Sequence, residues 1–149
     1  SGDCDDSVTP GEVKKPTDPL NAPMVKFDVV PGTQAQLVAT RIYVGGTVAP
    51  VNVIVIDQAG TVVYTQTVNP GLGWFSYEFP CVPSLRFQQD FYVGLQWLVD
   101  NRLGIGRSSH PNAGDASHSY YGPIRGGRMD PIHHNPDYDF AIRACVRVY

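Results

Sequence analysis

The chain has 149 residues, 42% of them apolar, and a net charge of −3 at neutral pH. That suits one domain able to bury its own core, and no apolar run approaches the roughly 18 residues of a spanning helix, so membrane insertion is not expected. Without a basic excess, nucleic acid is a poor partner and bulk attraction to anionic lipid is disfavoured.

The charge is unevenly placed. Residues 1–23 hold Asp3, Asp5, Asp6, Glu12 and Asp18 against Lys14 and Lys15, and this accounts for the whole −3. Pro10, Pro16, Pro19 and Pro23 recur among polar residues there, so residues 1–23 read as a flexible acidic leader or linker before a folded domain over 24–149. No secretory or transit signal pattern is present, as expected if a targeting peptide has been removed or never existed.

From Met24 the strand signals come regularly. Val25, Phe27 and Val29 alternate with Lys26 and Asp28, and Pro31-Gly32 ends the run. Over Leu37–Val44 the pattern places Val38, Ile42 and Val44 inward, with Arg41 and Tyr43 outward. Val51–Asp57 is nearly all aliphatic, which predicts a strand covered on both faces. Asp57-Gln58-Ala59-Gly60 reads as a tight turn into Thr61–Val68, and Asn69–Gly73 as a second turn before Trp74–Phe79. Phe91–Leu98 is a strand with Phe91, Val93, Leu95 and Trp97 on its core face, and Ser117–Gly122 is a weaker one. The closing strand alternates over Tyr138, Phe140, Ile142, Ala144, Val146 and Val148. About eight strands, few helix patterns and Gly/Pro punctuation predict an all-β, antiparallel β-sandwich of jelly-roll type.

Two stretches break the rhythm. Residues 99–116 and 122–137 are long and rich in Gly, Pro, Asn, His and Arg. Loops of that length in a compact domain are usually functional, so a binding site is expected there first.

Three segments carry a resemblance. The hairpin VIDQAGTVVYTQTV, the strand Asp90-Phe91-Tyr92-Val93-Gly94, and the closing Asp139-Phe140-Ala141-Ile142-Arg143-Ala144 follow one another, with Ser119-Tyr120-Tyr121-Gly122 between the last two. In this the chain resembles jelly-roll accessory domains appended to secreted bacterial peptidases and surface proteins, over about residues 24–149. The resemblance implies export from a bacterial cell and a non-catalytic role: binding glycans or another cell-surface polymer, packing on a neighbouring domain or subunit, or acting as a spacer. His133-His134, Cys81 and Cys145 depart from that pattern.

Aromatic residues are the leading binding candidates. Trp74 is out of phase with Phe75, Tyr77 and Phe79, so its indole faces outward, where it could stack on a sugar ring. Tyr120 and Tyr121 point to opposite faces, leaving one available, and Arg125 and Arg128 could grip an anionic group. The competing interpretation of each is structural: an indole capping the sandwich and solvated loop arginines.

Metal sites are the second possibility. Asp137 and Asp139 at the start of the last strand, with Asp28 on the first, suit a structural calcium ion bound by carboxylates and loop carbonyls. A transition-metal site, and with it a metal-dependent hydrolase, would need His110, His118, His133 and His134 to converge with Asp115, Asp130 or Asp137; no HExxH motif or closely spaced ligand pair supports it. Ser108-Ser109-His110 and Ser117-His118-Ser119 place hydroxyls beside imidazoles without any nucleophile elbow. Only Glu12 and Glu78 supply glutamate, which thins paired-carboxylate chemistry, so no catalytic residues are assigned.

Three cysteines, Cys4, Cys81 and Cys145, fit no zinc spacing. A Cys81–Cys145 disulfide is the preferred pairing, with Cys4–Cys145 the competitor, and either suits an oxidising compartment.

Overall fold

A period of two along most of the chain produces strands, and the chirality of those strands closes them into two twisted layers. The computed structural model describes residues 12–14, 21–98, 103–109 and 118–149. The first sheet holds β1 (Glu12–Lys14), β3 (Ala35–Gly46), β6 (Gly73–Glu78), β7 (Arg86–Phe87), β9 (Leu103–Ser109), β13 (Tyr138–Phe140) and β14 (Ile142–Val148). The second holds β2 (Asn21–Phe27), β4 (Val51–Ile56), β5 (Val62–Val68), β8 (Phe91–Trp97), β10 (Ser119–Arg125), β11 (Arg128–Met129) and β12 (His133–His134). Pairing is antiparallel throughout these strands, and successive segments cross back and forth between the layers, as in jelly-roll sandwiches. The fold is the expected antiparallel β-sandwich. The additional strands are mostly two- or three-residue pieces, too short to carry a periodic signal.

The main core lies between the sheets. Leu37, Ile42, Val44, Ile105, Phe140 and Ile142 from the first sheet meet Val53, Val55, Phe91, Val93, Leu95 and Trp97 from the second. Each fully buried side chain of this kind contributes about 1.5–3 kcal/mol. Ser119 is a buried polar exception, and its Oγ accepts a hydrogen bond from the Phe140 amide at 2.9 Å, tying β10 to β13 across the layers. At Ala141 three segments meet: the Tyr43 amide donates to the Ala141 carbonyl, and the Ala141 amide donates to that of Gly106. There the closing strand passes from pairing with β9 to pairing with β3.

A second cluster, of Ala22, Met24, Ile54, Ile56, Tyr92 and Met129, lies on the outer face of the second sheet. It explains the unbroken aliphatic run of β4: Val51, Val53 and Val55 enter the main core, and Ile54 and Ile56 enter this one. Its cover comes from the stretch expected to be a loop. After the turn at Gly126-Gly127 the chain folds back, with the Val62 amide donating to the Gly127 carbonyl and the Met129 amide to that of Gly60, each at 2.8 Å. Gly122 is required beneath this cover, because a Cβ there would sit 2.1 Å from the Pro131 carbonyl oxygen.

Four sequence expectations change. Val38 is 39% exposed rather than inward, because the β3–β14 register slips by one residue between Cys145 and Val146, so that Leu37 takes the core position. Strand structure begins earlier than residue 24, with β2 starting at Asn21 and β1 pairing with β9 inside the segment read as linker. Residues 103–109 and much of 122–134 form strands. Finally, Cys81 is an exposed free thiol, so the expected Cys81–Cys145 bridge is not formed; Cys145 is nevertheless disulfide-bonded. Cys4, His110 and Asp115 lie outside the described residues.

Candidate functional site

The residues singled out for binding fall on two opposite faces of the sandwich. Trp74 lies on β6, on the outer face of the first sheet, whereas Tyr120, Tyr121, Arg125 and Arg128 belong to β10 and β11 of the second. They do not form one site.

On the second sheet, alternation along β10 sends Tyr120 outward onto the second cluster. Its ring meets the Tyr92 ring edge-on at 5.4 Å and the His134 imidazole at 5.0 Å. Register places these together, since Tyr120 stands opposite Met24 on one side and His134 on the other, while Lys26 stands opposite Tyr92. The Lys26 Nζ lies 5.7 Å over the Tyr120 centroid, a cation–π arrangement. Burial alone would lower the Lys26 pKa, but Tyr120, Asp28, Tyr92 and Asp90 together outweigh it and hold the ammonium above its ordinary range. Asp90 also accepts a hydrogen bond from the Val29 amide at 2.9 Å, which fixes the end of β2.

Lys26 and Asp28 border a cleft of about 290 Å³ at the same end of β2. Val25, Phe27, Phe91, Val146 and Val148 give it apolar walls, and Thr33 and His118 complete a polar rim. An apolar slot with a few convergent polar groups is the usual form of a small-ligand site. A second depression of about 390 Å³ runs between residues 57–59 and 86–90. Its Asp57 carboxylate is already engaged by the Ala59 and Thr61 amides.

The other expected ligand residues sit elsewhere. Tyr121 is half-buried with its ring 5.2 Å from His133. Arg125 and Arg128 face each other across the Gly126-Gly127 turn, both exposed. Five residues of strand separate Arg125 from Tyr120, roughly 17 Å. On the opposite face, Trp74 is half-buried, with Tyr43 edge-on at 5.6 Å and the Arg143 guanidinium 5.7 Å from its ring. Its indole Nε1 is buried and has no hydrogen-bond partner among the described residues.

The metal candidates are not assembled. Among the described residues no group of three or more His, Cys, Asp or Glu side chains is placed to hold a metal ion. Asp28, Asp137 and Asp139 therefore form no joint carboxylate cluster. His133 and His134, neighbours on one strand, diverge toward Tyr121 and Tyr120.

Sequence reasoning missed Lys26, Tyr92 and the cleft. The alternation of Lys26 with Val25 and Phe27 marks it as outward-facing, but only strand register brings it over Tyr120.

No family model, curated protein or solved structure matches the chain. No helix among the described residues is long and apolar enough to cross a membrane.

Proposed function

We propose that this chain is a non-catalytic binding module of an exported bacterial protein, and that its ligand is a carbohydrate. One observation supports the proposal: half-buried Tyr120, flanked by Tyr92 and His134, lies under the Lys26 ammonium, and Lys26 with Asp28 also borders an apolar-walled cleft. Saccharides present apolar C–H faces edged by hydroxyls. Aromatic rings and aliphatic walls suit the former, and an ammonium beside a carboxylate suits the latter. The likeness of its strand motifs to secreted jelly-roll accessory domains and the disulfide at Cys145 support an extracytoplasmic setting. The test is binding to a glycan panel by wild type, Tyr120→Ala and Lys26→Met, with Trp74→Ala as the opposite-face control. Loss in the first two alone supports the assignment.

A protein-interaction role without a small ligand is the second reading, and it rests on β5. Among the described strands this seven-residue strand ends the second sheet beside β4; its first residue, Val62, is also bonded to Gly127, and Thr65, Gln66 and Thr67 further along it are exposed. It carries no lysine or proline, the residues that commonly block edge pairing. Self-association that disappears in Thr65→Pro, with no glycan bound, would favour this role.

A further inference from the structure

β14 ends the first sheet, pairing with β3 along one edge and with no described strand along the other. Hydrogen bonding fixes which of its main-chain groups face that open edge. The Tyr149 amide donates to the Gln34 carbonyl and the Gln34 amide to that of Tyr149, so these two form a hydrogen-bonded pair. Bonded and non-bonded pairs alternate along an antiparallel ladder. The register Val148–Ala35, Arg147–Gln36, Val146–Leu37 therefore turns the N–H and C=O of Val148 and Val146 away from β3. The side chains of the same two valines line the apolar cleft beside β2. Its walls include Val25 and Phe27, which hold the core phase of β2 yet are only half-buried, and Val30 is exposed at the same cleft. We infer that the β14 edge and this cleft together seat an extended peptide strand of a partner protein, one that alternates apolar, acidic and apolar residues.

The main chain decides the class of occupant. Donors and acceptors directed outward at every second residue match an extended peptide, whose own main chain carries the complementary groups at that spacing. Residues opposite one another in a ladder point to the same face. Peptide residues opposite Val148 and Val146 therefore send their side chains into the cleft, about 7 Å apart. The cleft, of about 290 Å³ with aliphatic and aromatic walls, favours apolar side chains there. The residue between them stands opposite Arg147, which is exposed on the outer face. That position is a non-bonded pair on the peptide side only if Arg147 bonds to β3, as the alternation requires, and in such pairs facing side chains lie closest. An acidic residue is the matching partner for the guanidinium. β5, the open edge of the other sheet, carries no charged residue that could select a partner in this way. The seat uses the inner walls of the cleft, whereas Tyr120 lies on the outer face of the second sheet, so the inference does not depend on the carbohydrate reading.

Amide chemical shifts of the isotope-labelled protein, followed during titration with the capped peptide Lys-Thr-Val-Glu-Val-Thr-Lys, test the proposal. Saturable shifts should centre on Val146, Arg147 and Val148, with slowed hydrogen exchange at the Val146 and Val148 amides. N-methylation of either peptide valine removes one donor and keeps the side chain, and it should weaken binding about tenfold. Arg147→Glu changes an exposed side chain and leaves the core intact. That variant should reverse the preference, binding the peptide with central Lys more tightly than the one with central Glu. Absence of saturable shifts on β14, equal binding of the methylated peptide, or an unchanged preference in Arg147→Glu would overturn the seat. Protection of the Val146 and Val148 amides in the free, dilute protein would also overturn it, by showing the edge filled by the chain itself. Protection that appears only at high protein concentration would assign the edge to a second copy instead.

Discussion

The hydroxyl of Tyr64 on β5 is hydrogen-bonded to that of Tyr77 on β6, joining an edge strand of the second sheet to one of the first. Both rings pack edge-on against Phe79, at 5.3 and 5.1 Å. Burial, and after it this bond, pushes the Tyr64 phenol up to about 12 from its ordinary 10.0. The folded-state pKa is raised, so the contribution of the neutral phenol is complete below pH 10 and disappears as pH climbs toward 12. Alkaline titration of tyrosine absorbance should show late-ionising phenols, and the component near pH 12 should be lost in Tyr64→Phe. Losing the bond should cost about 1 kcal/mol in urea denaturation near pH 7.

Gly94 and Gly122 are two glycines that the packing cannot replace. A Cβ on Gly94 would fall 1.9 Å from the Pro23 carbonyl oxygen, against backbone that cannot move without breaking the β2–β8 pairing. Gly94→Ala should therefore destabilise by about 3 kcal/mol or more, at or beyond the upper end of the usual overpacking cost. Gly32→Ala is a useful contrast. It has open space around the Cβ but a φ of +85°, so its cost is backbone strain alone, about 1 kcal/mol. Chemical denaturation of the two variants side by side separates clash from strain.

The second cluster should open independently of the main core. Met129 is 2% exposed and is the fully buried side chain that the returning segment contributes to it, beside partly buried Ile132. Met129→Ala should cost about 2–4 kcal/mol through lost burial and the cavity left behind. Hydrogen exchange should rise across residues 126–134 and stay low in β3 and β14. Uniformly increased exchange would show that the two clusters are one cooperative unit.

Lys26 and Tyr92 form a coupled pair whose sign can be checked. Burial raises the Tyr92 pKa, and the Lys26 charge pulls it back down. Lys26→Met should accordingly raise the Tyr92 pKa further, measured as a later chemical-shift titration of its ring. An unchanged titration would show that the ammonium does not face the phenol in solution.

Much of the layered architecture is legible in the sequence because burial imposes its period directly. The closing strand, β8 and the doubly covered β4 each follow from apolar spacing alone. The phase of β3 beyond Val38 was not legible, since a bulge shifts it and bulges depend on the partner strand. Residues 126–134 read as a loop because their contribution is carried by Met129, Ile132 and two glycines with positive φ, a set with no regular spacing. Trp74 lies outside the main core, as its phase against Phe75 and Tyr77 predicts. Its distance from Tyr120 was hidden because two outward-facing residues in sequence can lie on opposite sheets. Lys26 shows the reverse case, where an unremarkable alternating lysine comes to lie over Tyr120 through register.

The most direct measurement is a glycan and polysaccharide binding panel run with wild type, Tyr120→Ala, Lys26→Met and Trp74→Ala. Wild type and Trp74→Ala should bind, with affinity falling about tenfold or more in Tyr120→Ala, the scale expected for losing a stacking ring of about 1.5 kcal/mol. Binding that survives in Tyr120→Ala and Lys26→Met but fails in Trp74→Ala would contradict the assigned face. Absence of glycan binding by the folded wild type would contradict the carbohydrate assignment itself.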